Sequence, residues 1–161
     1  MKIFKTALFC ATLICAAPVF AQTDINLGAI NADPTAPVEI TADSLSIDQV
    51  SGTAIFIGNV VFGQGDLRLN AARVQVIYND ASGDISRLSA SGGVTFATAT
   101  EAAEALTADY NLDTGTLELA GDVLLTQGAS AISSDTMRVN LSDGSAQMEG
   151  RVRTIFNQGN N

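Results

Sequence analysis

Residues 56–62 read FIGNVVF, a run suited to a β-strand except for the glycine and asparagine in its middle, two residue types that strands disfavour. The same order of a glycine, one further residue and a valine returns in ASGGVTF, LAGDVLL and MEGRVRT, at residues 90–96, 119–125 and 148–154. The glycines, at intervals of 34, 29 and 29 residues, are Gly58, Gly92, Gly121 and Gly150. A near-constant interval of this size indicates stacked copies of one supersecondary unit.

The sequence around these glycines alternates apolar and polar residues from 38 to 156, as in LRL (67–69) and LEL (117–119). This period of two indicates strands with one buried face, separated by turn sequences such as SDG (142–144). A glycine inside a strand permits a bulge or a sharp bend. Because the glycine recurs at the same point of each unit, we predict an all-β fold of antiparallel hairpins, folded over one crease into a V of two facing sheets. Helix-forming residues at 101–105 predict one short helical turn.

The first 21 residues have the features of a secretory signal peptide. Lys2 and Lys5 precede an apolar run at 6–19 that is shorter than the roughly 20 residues of a membrane span, and Ala21 ends an acceptable cleavage site. Export across a membrane is therefore expected. The predicted segments are a signal peptide at 1–21, a flexible arm at 22–37, a folded domain at 38–156 and a flexible tail at 157–161.

The chain expected after cleavage is strongly acidic and lacks several side chains that catalysis commonly uses. Removal of Lys2 and Lys5 leaves six of the eight basic residues against 17 acidic ones, for a net charge of −11. Such a charge disfavours nucleic acid as a partner. The remaining chain has no histidine, cysteine, lysine or tryptophan, which removes the usual nucleophile–base pairs, Schiff-base lysines and zinc ligands. We therefore expect no enzyme activity, no metal and no cofactor.

Two carboxylate-based sites are the alternatives to this expectation. DYNLDTG (109–115) begins like an EF-hand calcium loop, but Ala120 stands where that loop requires glutamate, so the segment is interpreted as a strand and a turn. A glycosidase needs only two carboxylates, and sequence spacing leaves that alternative open.

Residues 37–76 carry a recognisable pattern. PVEITADSLSID (37–48) and FIGNVVFGQGDLRLNAARVQV (56–76) resemble the first half of the OstA-like domain of the LptA family of periplasmic lipopolysaccharide-transport proteins. The matching residues are Pro37, Asp43, Asp48, Phe56, Gly58, Asn59, Val60, Gln64, Gly65, Asn70 and Ala71. Later segments, including GGVTF and LTADYNLDTG, resemble the family more loosely but in the same order.

The resemblance implies a twisted antiparallel β-jelly roll, open along one side, whose apolar groove holds the acyl chains of lipopolysaccharide. It further implies a carrier in the periplasm of a Gram-negative cell, bridging inner and outer membranes during lipopolysaccharide export and outer-membrane assembly. Expected partners are lipopolysaccharide, further copies of the chain in head-to-tail oligomers, and LptC-like inner-membrane and LptD-like outer-membrane proteins. Two alternatives stay open: a structural β-solenoid or adhesin-type secreted repeat protein, and an inner-membrane LptC-type relative of the same fold.

Alternation and resemblance together predict the residues of the groove and of the docking edges. The groove lining is expected to comprise the inward-facing residues Val38, Ile40, Phe56, Val60, Phe62, Leu69, Val76, Phe96, Leu112, Leu119, Val123, Leu125 and Val139. The assembly edges are expected at the two ends of the stack, on Val38, Glu39, Ile40, Arg151, Val152 and Arg153. The rings of Phe56, Phe62 and Phe96 are expected to contact lipid, with sealed core as the alternative.

Overall fold

The computed structural model describes residues 25–26 and 36–156, which contain eleven β-strands and no helix. The strands are β1 (Ile25–Asn26), β2 (Val38–Thr41), β3 (Ser44–Asp48), β4 (Thr53–Gln64), β5 (Leu67–Tyr78), β6 (Ile85–Ala97), β7 (Glu101–Asn111), β8 (Thr116–Gln127), β9 (Ser130–Asn140), β10 (Ser145–Glu149) and β11 (Arg153–Ile155). The predicted signal peptide and tail lie outside the described residues, as does most of the predicted arm.

These strands form one antiparallel sheet that is folded in two. The hydrogen-bonded order is β1-β10-β9-β8-β7-β6-β5-β4-β2, while β3 also pairs with β4 and β11 with β9. Each of the long strands β4 to β9 passes from one half of the sheet into the other. One half is bounded by β3 and β10, and the other half is bounded by β2 and β11. Inward residues of both halves share one hydrophobic core, so the halves face each other. The predicted all-β jelly roll is confirmed.

The fold line lies at the predicted glycines. Each glycine and the residue after it have positive φ, in the pairs Gly58–Asn59, Gly92–Gly93, Gly121–Asp122 and Gly150–Arg151. The register slips at the same points, for example between Ile57 and Val60 in the β4–β5 pair. Two consecutive left-handed residues bend a strand sharply and let it continue into the other half. The predicted crease is therefore confirmed.

We expect Gly92→Ala to cost much more stability than Gly93→Ala, although these neighbours have similar φ angles of 87° and 83°. A Cβ on Gly92 would lie 2.6 Å from the Cβ of Ala72, whereas one on Gly93 would meet nothing within 4 Å. The left-handed backbone costs each alanine about 1 kcal/mol, and the clash adds roughly 2 kcal/mol at position 92. Urea denaturation followed by circular dichroism should therefore show that the free energy of unfolding falls by about 3 kcal/mol in Gly92→Ala and by about 1 kcal/mol in Gly93→Ala.

Ala72→Gly is the control for this comparison, because it removes the atom that a side chain at position 92 would strike. In a double-mutant cycle, Ala72→Gly should restore most of the stability that the clash removes in Gly92→Ala. It should restore none of the stability lost in Gly93→Ala. Equal losses for the two alanine variants would contradict the described packing of the crease.

The predicted helical turn at 101–105 is wrong. These residues begin β7, in which Glu101 and Ala103 are buried while Ala102 and Glu104 are exposed. The segment pairs with β6 on one side and β8 on the other. Hydrogen bonds and burial on both sides outweigh the helix propensity of alanine and glutamate, which is a local and weak preference.

The two faces of the folded sheet differ in polarity. The inner face is the apolar core, whereas the outer face of the β3–β10 half carries exposed ion pairs of Arg138 with Glu118, at 2.7 Å, and of Arg87 with Asp109. Exposed pairs contribute little to stability. Burial of the inner face therefore holds the fold together.

Candidate functional site

Every predicted lining residue faces the space between the two halves. The buried ones are Val60, Phe62, Leu69, Val76, Phe96, Leu119, Val123, Leu125 and Val139, and the half-buried ones are Val38, Ile40, Phe56 and Leu112. Phe62 and Phe96 are each only 1% exposed. The predicted residues are thus brought together, but as a closed core rather than an open groove, since facing apolar surfaces exclude water by packing on each other. An acyl chain can reach them where the core is uncovered or where the halves separate.

The apolar interior is uncovered at the end of the stack formed by β2 and β3. Leu45 pairs with Phe56 and Ile47 with Ala54, so both side chains lie on the inner face of the sheet. Leu45 is nevertheless 52% exposed and Ile47 is 65% exposed. Within the described residues β3 has no neighbour beyond β4, so nothing packs against these side chains from outside. Leu45 and Ile47 are not among the predicted lining residues, although the alternation of LSI at 45–47 gives them the same inward orientation.

A hydrogen bond joins the two halves on the side away from the crease. Tyr110 of the β3–β10 half donates its hydroxyl to Oε1 of Gln64 in the β2–β11 half, at 3.1 Å. The Tyr110 ring also meets Phe62 edge-on, with ring centroids 6.1 Å apart. Burial raises the pKa of Tyr110, so its hydroxyl stays protonated and able to donate at neutral pH. A polar contact therefore closes this part of the side that the family resemblance implies to be open.

A cavity of about 460 Å³ lies beside this contact. Its wall includes the half-buried apolar residues Val38, Ile85 and Leu112 and the acidic residues Asp84 and Asp113. Val38 and Leu112 belong to the predicted lining. The interior thus reaches the surface at this cavity, next to carboxylates that favour water.

A second buried polar group, Glu101, lies where β6 turns into β7. Its side chain is 3% exposed and accepts hydrogen bonds from the hydroxyls of Thr98 and Thr100, both at 2.6 Å, and from the amide of Gln127 at 3.0 Å. Burial raises the pKa of this carboxyl, but the three hydrogen bonds outweigh burial and hold the pKa below the ordinary value of 4.5. The charged form is therefore the one that the fold stabilises.

Glu101→Gln is expected to lower the free energy of unfolding by about 1–2 kcal/mol at pH 7. Because the folded state lowers this pKa, the contribution of Glu101 is present above its ordinary value of 4.5 and is lost as the pH falls through the folded-state pKa. The difference in free energy of unfolding between wild type and Glu101→Gln should therefore shrink toward zero in acid. Urea denaturation across a pH series measures this difference. The exposed neighbour Glu104 provides the control variant Glu104→Gln, which should show no such pH-dependent loss. A constant difference between Glu101→Gln and wild type at every pH would contradict the assignment.

The predicted edge residues fall into two groups. Val38, Glu39 and Ile40 lie on β2, which ends the strand order, as expected. Arg151 is instead bound within its own chain, where its Nε donates to Asp135 at 2.8 Å and its guanidinium lies 3.9 Å from Asp122. This hydrogen bond lowers the pKa of the Asp135 carboxyl.

The ends are completed by the remaining predicted edge residues and by two strands, β3 and β10, that are not among the predicted edges. Val152 is exposed, and Arg153 begins β11, which pairs with β9. β3 stands beside β2 at the first end, and β10 stands beside β11 at the other. A docking role for these residues stays a prediction.

In the described ranges, no three histidine, cysteine, aspartate or glutamate residues come close enough together to hold a metal ion. Those ranges also contain no helix that is long and apolar enough to cross a membrane.

A folded antiparallel sheet with an apolar interior between its halves and end strands on both sides defines the class of folded, V-shaped β-jelly rolls. Residues 39–145 match the model of the family described as LptA/(LptD N-terminal domain) LPS transport protein. The chain belongs to this family.

Individual relatives agree with this assignment. An uncharacterized protein of Rhizobium meliloti (strain 1021) is 29% identical over 154 residues, covering 89% of this chain and 83% of that protein. The lipopolysaccharide export system protein LptA of Escherichia coli (strain K12) is 33% identical over 73 residues, which are 45% of this chain and 39% of that protein. The crystal structure of LptH, the LptA-homologous periplasmic component of the lipopolysaccharide transport device from Pseudomonas aeruginosa, matches with a TM-score of 0.72 at 16% identity, covering 79% of this chain and 99% of that one. This last likeness shows a shared fold.

Proposed function

We propose that the chain is a non-enzymatic periplasmic carrier that binds lipopolysaccharide and forms part of a bridge between the inner and outer membranes during export. The observation that carries this proposal is the apolar interior, which runs through the whole stack and is uncovered at β3, where Leu45 and Ile47 are exposed. Family membership supports lipopolysaccharide as the cargo, because the matched family is one of lipopolysaccharide transport. It also favours this function over a structural solenoid or adhesin. The predicted signal peptide favours an exported carrier over an LptC-type membrane-anchored relative.

Apolar burial supplies the affinity that the charge of the chain does not. The expected net charge of −11 opposes an anionic glycolipid, but repulsion between exposed charges is screened beyond about 8 Å at physiological salt. Each acyl methylene that leaves water contributes about 0.8 kcal/mol. Several acyl chains therefore outweigh the repulsion, provided that the head group stays in water outside the cleft.

The last strands of the stack repeat the geometry of the first, which supports head-to-tail assembly. The residue that faces each crease glycine from the preceding strand is Asp43, Ala72, Leu106 or Asp135, in chain order. The N–H of Asp135 donates to the carbonyl of Gly150 at 2.9 Å, as the N–H of Asp43 donates to the carbonyl of Gly58 at 2.9 Å. β10 thus holds the position in the last unit that β4 holds in the first. The next strand in the series would be an antiparallel strand of a second copy.

This equivalence defines the register in which a second copy would dock. Ala54 lies four residues before the crease glycine of its strand and pairs with Val76. Val76 in turn lies four residues after Ala72, the residue of its strand that faces a crease glycine. By the same count, Ala146 of β10 corresponds to Ala54, and Ile47 of β3 corresponds to Val76. β3 of the second copy would therefore place Ile47 opposite Ala146, while its β2 continues from β11. Such head-to-tail contacts build open filaments, and LptC-like and LptD-like partners would use the same two ends.

Lipid extraction from the protein purified from a Gram-negative periplasm tests the carrier function. Mass spectrometry should detect lipopolysaccharide bound to the wild-type chain in near-stoichiometric amount. The outer-face variant Thr126→Ala, which leaves the interior intact, should retain the same amount. Purified protein that carries no lipid, and that captures none from added lipopolysaccharide micelles, would contradict the proposal.

A further inference from the structure

The first strand of the described chain covers an edge that the proposed assembly needs. β1 pairs antiparallel with β10, with Ile25 opposite Ala146 and Asn26 opposite Ser145. β1 precedes β2 in the chain but lies at the opposite end of the strand order. These two residues fall in the segment predicted as a flexible arm, where a strand this short gives no alternation signal. The chain thus caps part of its own C-terminal end.

β1 occupies the positions that the repeat register assigns to a second copy. In that register Ile47 of the second copy faces Ala146 of β10. The next residue of the second copy, Asp48, then faces Ser145. β1 places Ile25 and Asn26 at the same two positions. The sequences also correspond, since DIN at 24–26 and SID at 46–48 both place an isoleucine between a polar residue and an Asn or Asp.

We propose that Ile25–Asn26 is a self-capping strand that competes with β3 of a second copy for β10, so that assembly requires its release. This inference rests on the proposed head-to-tail assembly. An intramolecular strand wins when the protein is dilute, because it has no partner to find. The five-residue β3 wins when copies are concentrated, because it also covers its exposed Leu45 and Ile47. Capping an exposed strand edge protects a chain from premature strand addition.

A disulfide between positions 26 and 145 tests the competition directly. Asn26→Cys and Ser145→Cys place thiols at opposed positions of an antiparallel pair, whose Cα separation of about 4.5–5.5 Å suits a disulfide. The natural Cys10 and Cys15 lie in the predicted signal peptide and would not interfere. Oxidation should cross-link each chain to itself and keep it monomeric in analytical ultracentrifugation, and reduction should restore assembly. Cross-links that form only between chains, or unchanged assembly after oxidation, would overturn the proposal.

Ile25→Pro removes the cap without a cross-link. Proline lacks the N–H that a strand donates and fixes φ, so self-association should tighten about tenfold, the equivalent of one or two hydrogen bonds. Ala32→Pro adds the same residue to the same segment outside β1 and should leave self-association unchanged. An unchanged dissociation constant for Ile25→Pro overturns the cap alone. Monomeric wild type and variants at all concentrations would overturn the assembly as well, while lipid retention in the same samples reports on the carrier function separately.

Discussion

Phe96→Glu is expected to lower the free energy of unfolding by about 4 kcal/mol or more and to leave most of the chain unfolded. Phe96 is 1% exposed and pairs with Leu69 on one side and Ala103 on the other, in the middle of the β2–β11 half. A carboxylate there would lose its water and find no partner among these apolar side chains. Urea denaturation followed by circular dichroism measures the loss.

Phe96→Leu separates the effect of charge from that of size. It keeps the site apolar and should cost about 1–2 kcal/mol, a small fraction of the loss in Phe96→Glu. A folded Phe96→Glu protein with a nearly unchanged melting temperature would mean that the groove is open around Phe96 even without lipid, contrary to the closed interior described above.

The second large effect is expected at the uncovered end of the interior, where Ile47→Glu should reduce lipid retention and self-association by about tenfold or more. Ile47 is 65% exposed, so the variant should fold with a free energy of unfolding within about 1 kcal/mol of wild type. The glutamate would, however, stand where an acyl chain or the β10 edge of another copy must make apolar contact. Lipid retention by mass spectrometry and self-association by ultracentrifugation measure the two effects.

Ser46→Glu is the matched control, because it adds the same charge to the same strand on the opposite face. It should leave both quantities near the wild-type values. Equal losses for Ser46→Glu and Ile47→Glu would attribute the effect to net charge and remove the assignment of an apolar entrance at β3.

The sequence was sufficient to predict the fold because its decisive signals are local. The recurring glycine marks the crease at each strand, and the alternation of residues gives the inward phase of every predicted lining residue. The helical turn predicted at 101–105 is wrong because pairing of β7 with β6 and β8 decides the structure of this segment. A local preference of a few tenths of a kcal/mol per residue cannot compete with such contacts.

The site features that the sequence did not predict are long-range contacts. Tyr110 and Gln64 are 46 residues apart, and their hydrogen bond across the two halves exists only after the sheet folds over. The contacts of Arg151, a predicted edge residue, with Asp135 and Asp122 of its own chain also form only where the crease brings these residues together. The pairing of β1 with β10 likewise joins the two ends of the described chain and leaves no periodic signal.

Light-activated cross-linking at adjacent positions of β4 tests the central claim, that lipopolysaccharide is held between the two halves of the sheet. Phe56 is half-buried on the inner face, and Ile57, the next residue, is 45% exposed on the outer face. A photoreactive side chain at position 56 should label lipopolysaccharide in cells actively exporting it, and the same side chain at position 57 should not. Equal labelling at both positions, or labelling at 57 alone, would contradict the account.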